Sequence, residues 1–146
     1  MPDHPTDPDC LFCSIVSGDI PARTVASNEH AQAFLDVNPL SPGHTLVIPT
    51  GHYETLEDTP QSLATPVFDL VSELTPRIED AVDADATTIG INNGVAAGQE
   101  IPHLHVHIVP RFDGDGGGPI HAVAGSPPDL TDDELDAIAT DIPNAD

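Results

Sequence analysis

The chain contains no lysine. Its only cationic side chains are Arg23, Arg77 and Arg111, set against 25 aspartates and glutamates for a formal charge of −22 over 146 residues. A surface of that sign repels a phosphate backbone, which argues against duplex nucleic acid as a partner. Long apolar runs are also missing. None approaches the ~18 residues that a membrane span needs, so no membrane partner is expected. The opening residues Met1-Pro2-Asp3-His4-Pro5 lack the basic and apolar stretches of a secretory signal. The expectation is a soluble, cytoplasmic protein. Cysteine is scarce as well, with only Cys10 and Cys13. In a reducing compartment a structural disulfide is a poor default. The C-x2-C spacing is half of a zinc site, a redox pair, or two unrelated thiols.

The acidic excess has three explanations: disorder, an acidic partner-binding surface, or adaptation to molar salt. Regular apolar patterning through most of the chain argues against disorder. The charge is spread along the sequence and not held in one block, which weakens the partner-surface reading. A salt-adapted organism fits best, because molar salt shortens the Debye length to about 3 Å and screens self-repulsion.

Residues 1–8, with three prolines and no apolar pattern, read as a flexible arm. Asp9 is placed to cap a helix from Cys10 to Ser17 that Gly18 ends. Strands are expected at Arg23–Ala26, Ala31–Asp36, Thr45–Ile48 and Thr87–Asn92. Leu63, Val67, Leu70, Val71, Leu74, Ile78 and Val82 fall at helical spacing, giving a long helix over residues 61–82. Pro76 is expected to kink or split it. Asp113-Gly114-Asp115-Gly116-Gly117-Gly118 reads as a loop with nothing to order it. Thr131-Asp132-Asp133-Glu134 has the form of a capping box for a short amphipathic helix through Leu135, Ile138 and Ala139. Strands with a few helices between them give an α+β class with a mostly antiparallel sheet.

The densest chemical signal is His103-Leu104-His105-Val106-His107, running on through Ile108-Val109 to Pro110. Alternation at period two is that of a half-buried strand, with three imidazoles on one face about 7 Å apart. Such a row suits an anion or a metal at neutral pH. The glycine-rich stretch Gly94–Gly98 can bring backbone N–H groups to a phosphate. Gln99 and Asn92 add amide donors, and His44, after Pro42-Gly43, can reach in from a neighbouring strand end. One neutral imidazole can attack phosphorus and leave again, splitting one substitution into two.

The run from Gly98-Gln99-Glu100-Ile101-Pro102 through His103 to Arg111 resembles the signature of the histidine triad (HIT) family of nucleotide hydrolases and transferases. Cys10-Leu11-Phe12-Cys13, Gly18-Asp19-Ile20-Pro21, Phe34-Leu35-Asp36 and Asn38–Pro49 match the same family in the same order. The resemblance covers residues 9–112, taken as the domain, with residues 113–146 left as a glycine-rich loop and acidic tail. It implies a five-stranded sheet with one long and two short helices, continued across a two-fold homodimer. It also implies that His105 attacks the α-phosphorus of a purine nucleotide, in a phosphoramidate or a dinucleoside polyphosphate, through a nucleotidyl-histidine. His107 and His44 would contact phosphate oxygens and the leaving group. Asn92, Gly98 and Gln99 fall where the phosphate is held, and Asp36 where the ribose hydroxyls bind. Leu11, Phe12, Ile15, Phe34 and Val37 fall around the base, where plain core packing is an equal reading. Cys10, Cys13, His52 and His103 correspond to a structural Zn2+ site found in several members, and no organic cofactor is implied. Glu100 stands where some branches carry a serine or threonine that assists the leaving group. Thr50 and Gly51 replace the usual lysines. A nucleotide-binding regulatory module with little turnover is the alternative function.

Overall fold

Short apolar stretches with alternating partners build the sheet, and the alternation decides which layer each side chain joins. A computed structural model of the chain describes residues 4–144. The chain divides between Gly116 and Gly117 into two units. The first runs α1 (Leu11–Ser17), β1 (Thr24–Ser27), β2 (Ala31–Leu35), β3 (Thr45–Pro49), α2 (Gln61–Val82), β4 (Ala86–Gly90) and β5 (Val106–Arg111). Its five strands are ordered β1-β2-β3-β5-β4, and every neighbouring pair is antiparallel. The connection through α2 carries the chain past the open edge of β3, so β5 returns into the gap. His107 thereby pairs with Leu46 on one side and Gly90 on the other.

Two apolar layers form on the two faces. Ala31, Ala33, Val47, Val106 and Ile108 pack against Val67, Leu70, Val71, Leu74 and Ile78 of α2. Phe34, Leu46 and Ile48 point the other way and meet Cys10, Phe12 and Cys13. Each fully buried aliphatic side chain contributes about 1.5–3 kcal/mol relative to exposure. His107, between Val106 and Ile108, lies on the second face beside Leu46, so the α2 core supports the sheet from behind.

Four local expectations are corrected. Pro76 does not split α2, which is continuous over Gln61–Val82. The carbonyl that Pro76 leaves without its N–H partner belongs to Ser72, which is exposed to water, while Leu74 and Ile78 hold the helix on either side. The cap of α1 is Cys10 and not Asp9, its sulfur accepting from the Cys13 N–H at 3.3 Å. The arm is not loose over its described part. The Pro5 carbonyl accepts from the His52 N–H at 2.8 Å, and the Asp7 carbonyl accepts from the Cys10 N–H at 3.1 Å. The loop after β5 is ordered at its start, because the Arg111 guanidinium takes both oxygens of Asp115, at 2.7 and 3.0 Å.

Gly43 has φ +89°, and a Cβ there would lie 2.9 Å from Val82 and 3.2 Å from Pro110. Only glycine meets both conditions in the turn that delivers His44. The second unit, residues 117–144 as described, holds α3 (Asp132–Asp141) behind a complete Thr131–Glu134 capping box. Among the described residues, no helix is long and apolar enough to cross a membrane.

Candidate functional site: a histidine-lined cavity beside a Cys2His2 cage

The histidine row is not one strand. β5 begins at Val106, and the stretch before it is held by other bonds. The His103 N–H donates to the Ile101 carbonyl at 2.8 Å, and the Leu104 N–H to the Tyr53 carbonyl at 2.7 Å. His103 is completely buried, whereas His105 and His107 line a cavity of about 480 Å³. That volume is in the range of small-ligand sites.

The hydrogen bonds fix which nitrogen of each ring carries its proton. His105 Nδ1 lies 2.7 Å from the His103 carbonyl, so Nδ1–H donates and Nε2 keeps a free lone pair. The Leu40 N–H donates to His44 Nδ1 at 3.1 Å. His44 must then carry its proton on Nε2, which donates to His107 Nδ1 at 2.9 Å. His107 in turn carries its proton on Nε2, which is buried and without a partner among the described residues. An orphaned buried donor is costly unless a ligand satisfies it. Burial, reinforced by His105 and His44, pushes the His107 pKa down to about 4. Burial lowers that of His44 as well, opposed by Asp36 at 3.7 Å. The relay is therefore neutral at pH 7.

Leu11, Phe12, Ile15, Phe34, Asp36 and Val37 all line the cavity, as do Asn92 and Gly98. Phe12 sets its edge against both Phe34 and His105, at ring separations of 5.4 and 5.1 Å. The Asn92 amide has no partner among the described residues. Gln99 is a correction. Its side-chain N–H groups donate to the Glu54 and Ile101 carbonyls at 2.7 and 3.0 Å, and its oxygen accepts from the Gly94 N–H at 2.8 Å. That leaves no amide donor for a phosphate, so Gln99 braces the loop. The Gly98 N–H is also engaged, by the Val95 carbonyl at 3.0 Å. Leu46, Ile101 and Glu100 complete the wall. Leu46 falls on the face opposite Val47 because β3 is a strand, whereas nothing in the sequence marks the Leu40 N–H as the group that orients His44.

Behind the cavity, Cys10, Cys13, His52 and His103 bring four donor atoms within 4.8 Å of one another. His103 Nε2–H donates to the Pro49 carbonyl at 2.9 Å, which turns the bare Nδ1 to the sulfurs of Cys10 and Cys13 at 3.4 and 3.6 Å. His52 Nδ1 lies 3.4 Å from Cys13 Sγ. Tetrahedral zinc with two thiolates and two imidazoles implies ligand–ligand edges of about 3.3–3.8 Å. The donor set fits. Without a metal, burial pushes the Cys10 thiol up to about 11 and the His103 imidazole down to about 4. Asp7, from the arm, stands 3.9 Å from the outer nitrogen of His52. This cluster can hold a metal ion.

An antiparallel α+β unit with a neutral histidine relay in a nucleotide-sized cavity defines a class, and comparison with known proteins gives it a family. The sequence profile of the HIT domain matches residues 17–114. The chain belongs to the HIT domain family, whose members are generally hydrolases or transferases and bind nucleotides. It is 44% identical over 107 residues to an uncharacterized HIT-like protein of Methanocaldococcus jannaschii, covering 73% of this chain and 82% of that one. It is 42% identical to adenylylsulfatase HINT3 of Arabidopsis thaliana, covering 73% of this chain and 54% of that protein. Among solved structures, a HIT family member from Bacillus subtilis superimposes with a TM-score of 0.82 at 36% identity, over 93% of this chain and 96% of that one. A zinc-bound histidine triad family protein from Mycobacterium smegmatis does so with 0.70 at 32% identity, over 94% and 98%.

Proposed function

We propose that the protein is a nucleotide hydrolase or nucleotidyl transferase acting at the α-phosphate of a purine nucleoside phosphoramidate or dinucleoside polyphosphate. The observation that carries this reading is the paired tautomers: a free lone pair on His105 Nε2 beside an unsatisfied N–H on His107. His105 Nε2 forms a bond to phosphorus as the bond to the leaving group breaks. The leaving group departs with that bond's electron pair and is protonated from water. The resulting positive charge on His105 is stabilised by its Nδ1–H bond to the His103 carbonyl. His107 Nε2–H donates to the phosphoryl oxygen, and His44 holds His107 in the donating tautomer. Water then attacks phosphorus, releasing the nucleoside monophosphate and returning the lone pair to His105. The apolar wall around Phe12 and Phe34 takes the base, Asp36 the ribose hydroxyls, and Asn92 a phosphate oxygen.

Cys10, Cys13, His52 and His103 hold a structural zinc ion in this reading. All four positions are filled by protein, so the metal supplies rigidity and no open coordination site. The remaining elements are a homodimer with a continuous sheet, a cytoplasmic setting and a salt-adapted surface. Sedimentation gives the oligomeric state, and a salt series monitored by circular dichroism tests the last. Full stability in dilute buffer would remove it.

The decisive experiment assays wild type and His105→Ala at high salt on adenosine phosphoramidate and on dinucleoside polyphosphates. Turnover is expected in the wild type and absent in the variant. Undiminished hydrolysis by the variant rules out this nucleophile, and tight binding without wild-type turnover favours a regulatory binding module.

A further inference from the structure

The charges on the cavity wall are unbalanced. Two carboxylates line it, Asp36 and Glu100, with no arginine. Asp36 is partly compensated, standing 3.7 Å from His44 and accepting the Asn38 N–H at 2.9 Å. Glu100 is exposed and has no hydrogen bond or ion pair among the described residues. The backbone on either side of it is nonetheless held. Its neighbour Gln99 is buried and tied by three hydrogen bonds, and Ile101 packs beside Cys10, Phe12 and Cys13. Arg77 is paired with Glu73 and Arg111 with Asp115, and Arg23, though it follows Ala22 of the wall, is exposed and does not itself line the cavity. The Leu40–His44 and His44–His107 hydrogen bonds are met by neutral tautomers, so that pair of imidazoles adds no positive charge to the wall.

We propose that Glu100 selects substrates by the charge of the leaving group, favouring a phosphoramidate whose amine carries a further ammonium and rejecting the polyanionic leaving group of a dinucleoside polyphosphate. This rests on the hydrolase reading above and narrows it to one of its two substrate classes. The reaction is unchanged: the P–N bond to the amine breaks, the P–N bond to His105 forms, and water yields nucleoside monophosphate and free amine. In a cleft intermediate between protein and water, one carboxylate on the wall changes the affinity for a unit charge by about five- to tenfold, favourably for a cation and unfavourably for an anion. A polyphosphate meets that penalty more than once.

The test uses three ligands: the adenosine 5′-phosphoramidates of ethylenediamine and of propylamine, which differ by one positive charge, and diadenosine tetraphosphate. Competitive binding is measured in the His105→Ala background, at the lowest salt at which circular dichroism shows an intact fold. Ratios of kcat/KM are measured with His105 present. The expected order is ethylenediamine, then propylamine, then tetraphosphate. Glu100→Gln should shrink the ethylenediamine-to-propylamine ratio about five- to tenfold, and Glu100→Lys should invert it. Ratios unmoved by either substitution, in folded protein, overturn the proposal whether or not turnover occurs. A charge order that responds to Glu100 without His105-dependent turnover supports the proposal and overturns the hydrolase reading instead.

Discussion

Two groups of imidazoles lie side by side in this protein and are wired in opposite senses. In the cage, His52 and His103 turn Nδ1 inward to sulfur, and His103 gives its Nε2–H to the Pro49 carbonyl. In the cavity, His105 gives its Nδ1–H to a carbonyl and keeps Nε2 free, while His44 and His107 pass a proton donor outward from ring to ring. In the proposed reading the same side chain serves as a metal ligand or a nucleophile according to which nitrogen the backbone occupies. His103 and His105 are two residues apart, and the difference between them is made by two carbonyls, those of Pro49 and of His103 itself.

That contrast can be broken by substitution. His105→Ala should lower turnover by about 10³-fold or more, yet leave bound zinc at the wild-type level by metal analysis. Loss of the metal in this variant would mean that the two groups are not separable. Cys13→Ser should do the reverse. Zinc content should collapse and the melting temperature fall by about 10 °C or more, because metal binding is linked to folding. A metal-free variant with wild-type melting would contradict a structural role for the cage.

His107→Gln should reduce kcat by about 10²-fold, the scale for removing one donor to a developing oxyanion. It should also alter the acid limb of stability. The His107 pKa is depressed from 6.5 to about 4 in the fold, so the unfolded chain binds more protons between those values. The contribution is complete above pH 6.5 and is lost as pH falls toward 4. Wild type should therefore lose more stability than His107→Gln over that window in denaturant titrations, and equal losses would refute the assignment. Asp7→Asn should give the smallest effect, about a tenfold weakening of zinc affinity in chelator competition, as for other carboxylates behind a histidine ligand. A wild-type affinity would leave Asp7 without a part in the cage.

Much of this was legible in the chain. The periodicity from Leu63 to Val82 marked α2, the short apolar run Thr45–Ile48 marked β3, and the alternation from His103 to Val109 marked β5, although the strand itself starts only at Val106. The ordered motifs around Cys10, His44 and His105 located the site residues that the fold brings together. What the sequence hid depends on backbone groups from distant segments. The Pro49 carbonyl, the Leu40 N–H and the Pro5 carbonyl have no side-chain signature, yet they set ring orientation and tether the arm. Gln99 was misread for the same reason, since its partners at Glu54 and Gly94 become neighbours only after folding. Pro76 was misread because helix rules weigh the missing N–H without knowing that Ser72 faces water.

Gly90 gives the pairing of β4 with β5 a further meaning. It is the cross-strand partner of His107, so a side chain there would stand on the same face as that imidazole. Its backbone is not left-handed, and nothing lies within 4 Å of a Cβ built on it. The most crowded chemistry in the molecule thus borders a vacant plot that the sheet tolerates filling. Descendants of this protein could change the surroundings of the His107 ring one methyl group at a time without renegotiating how they fold.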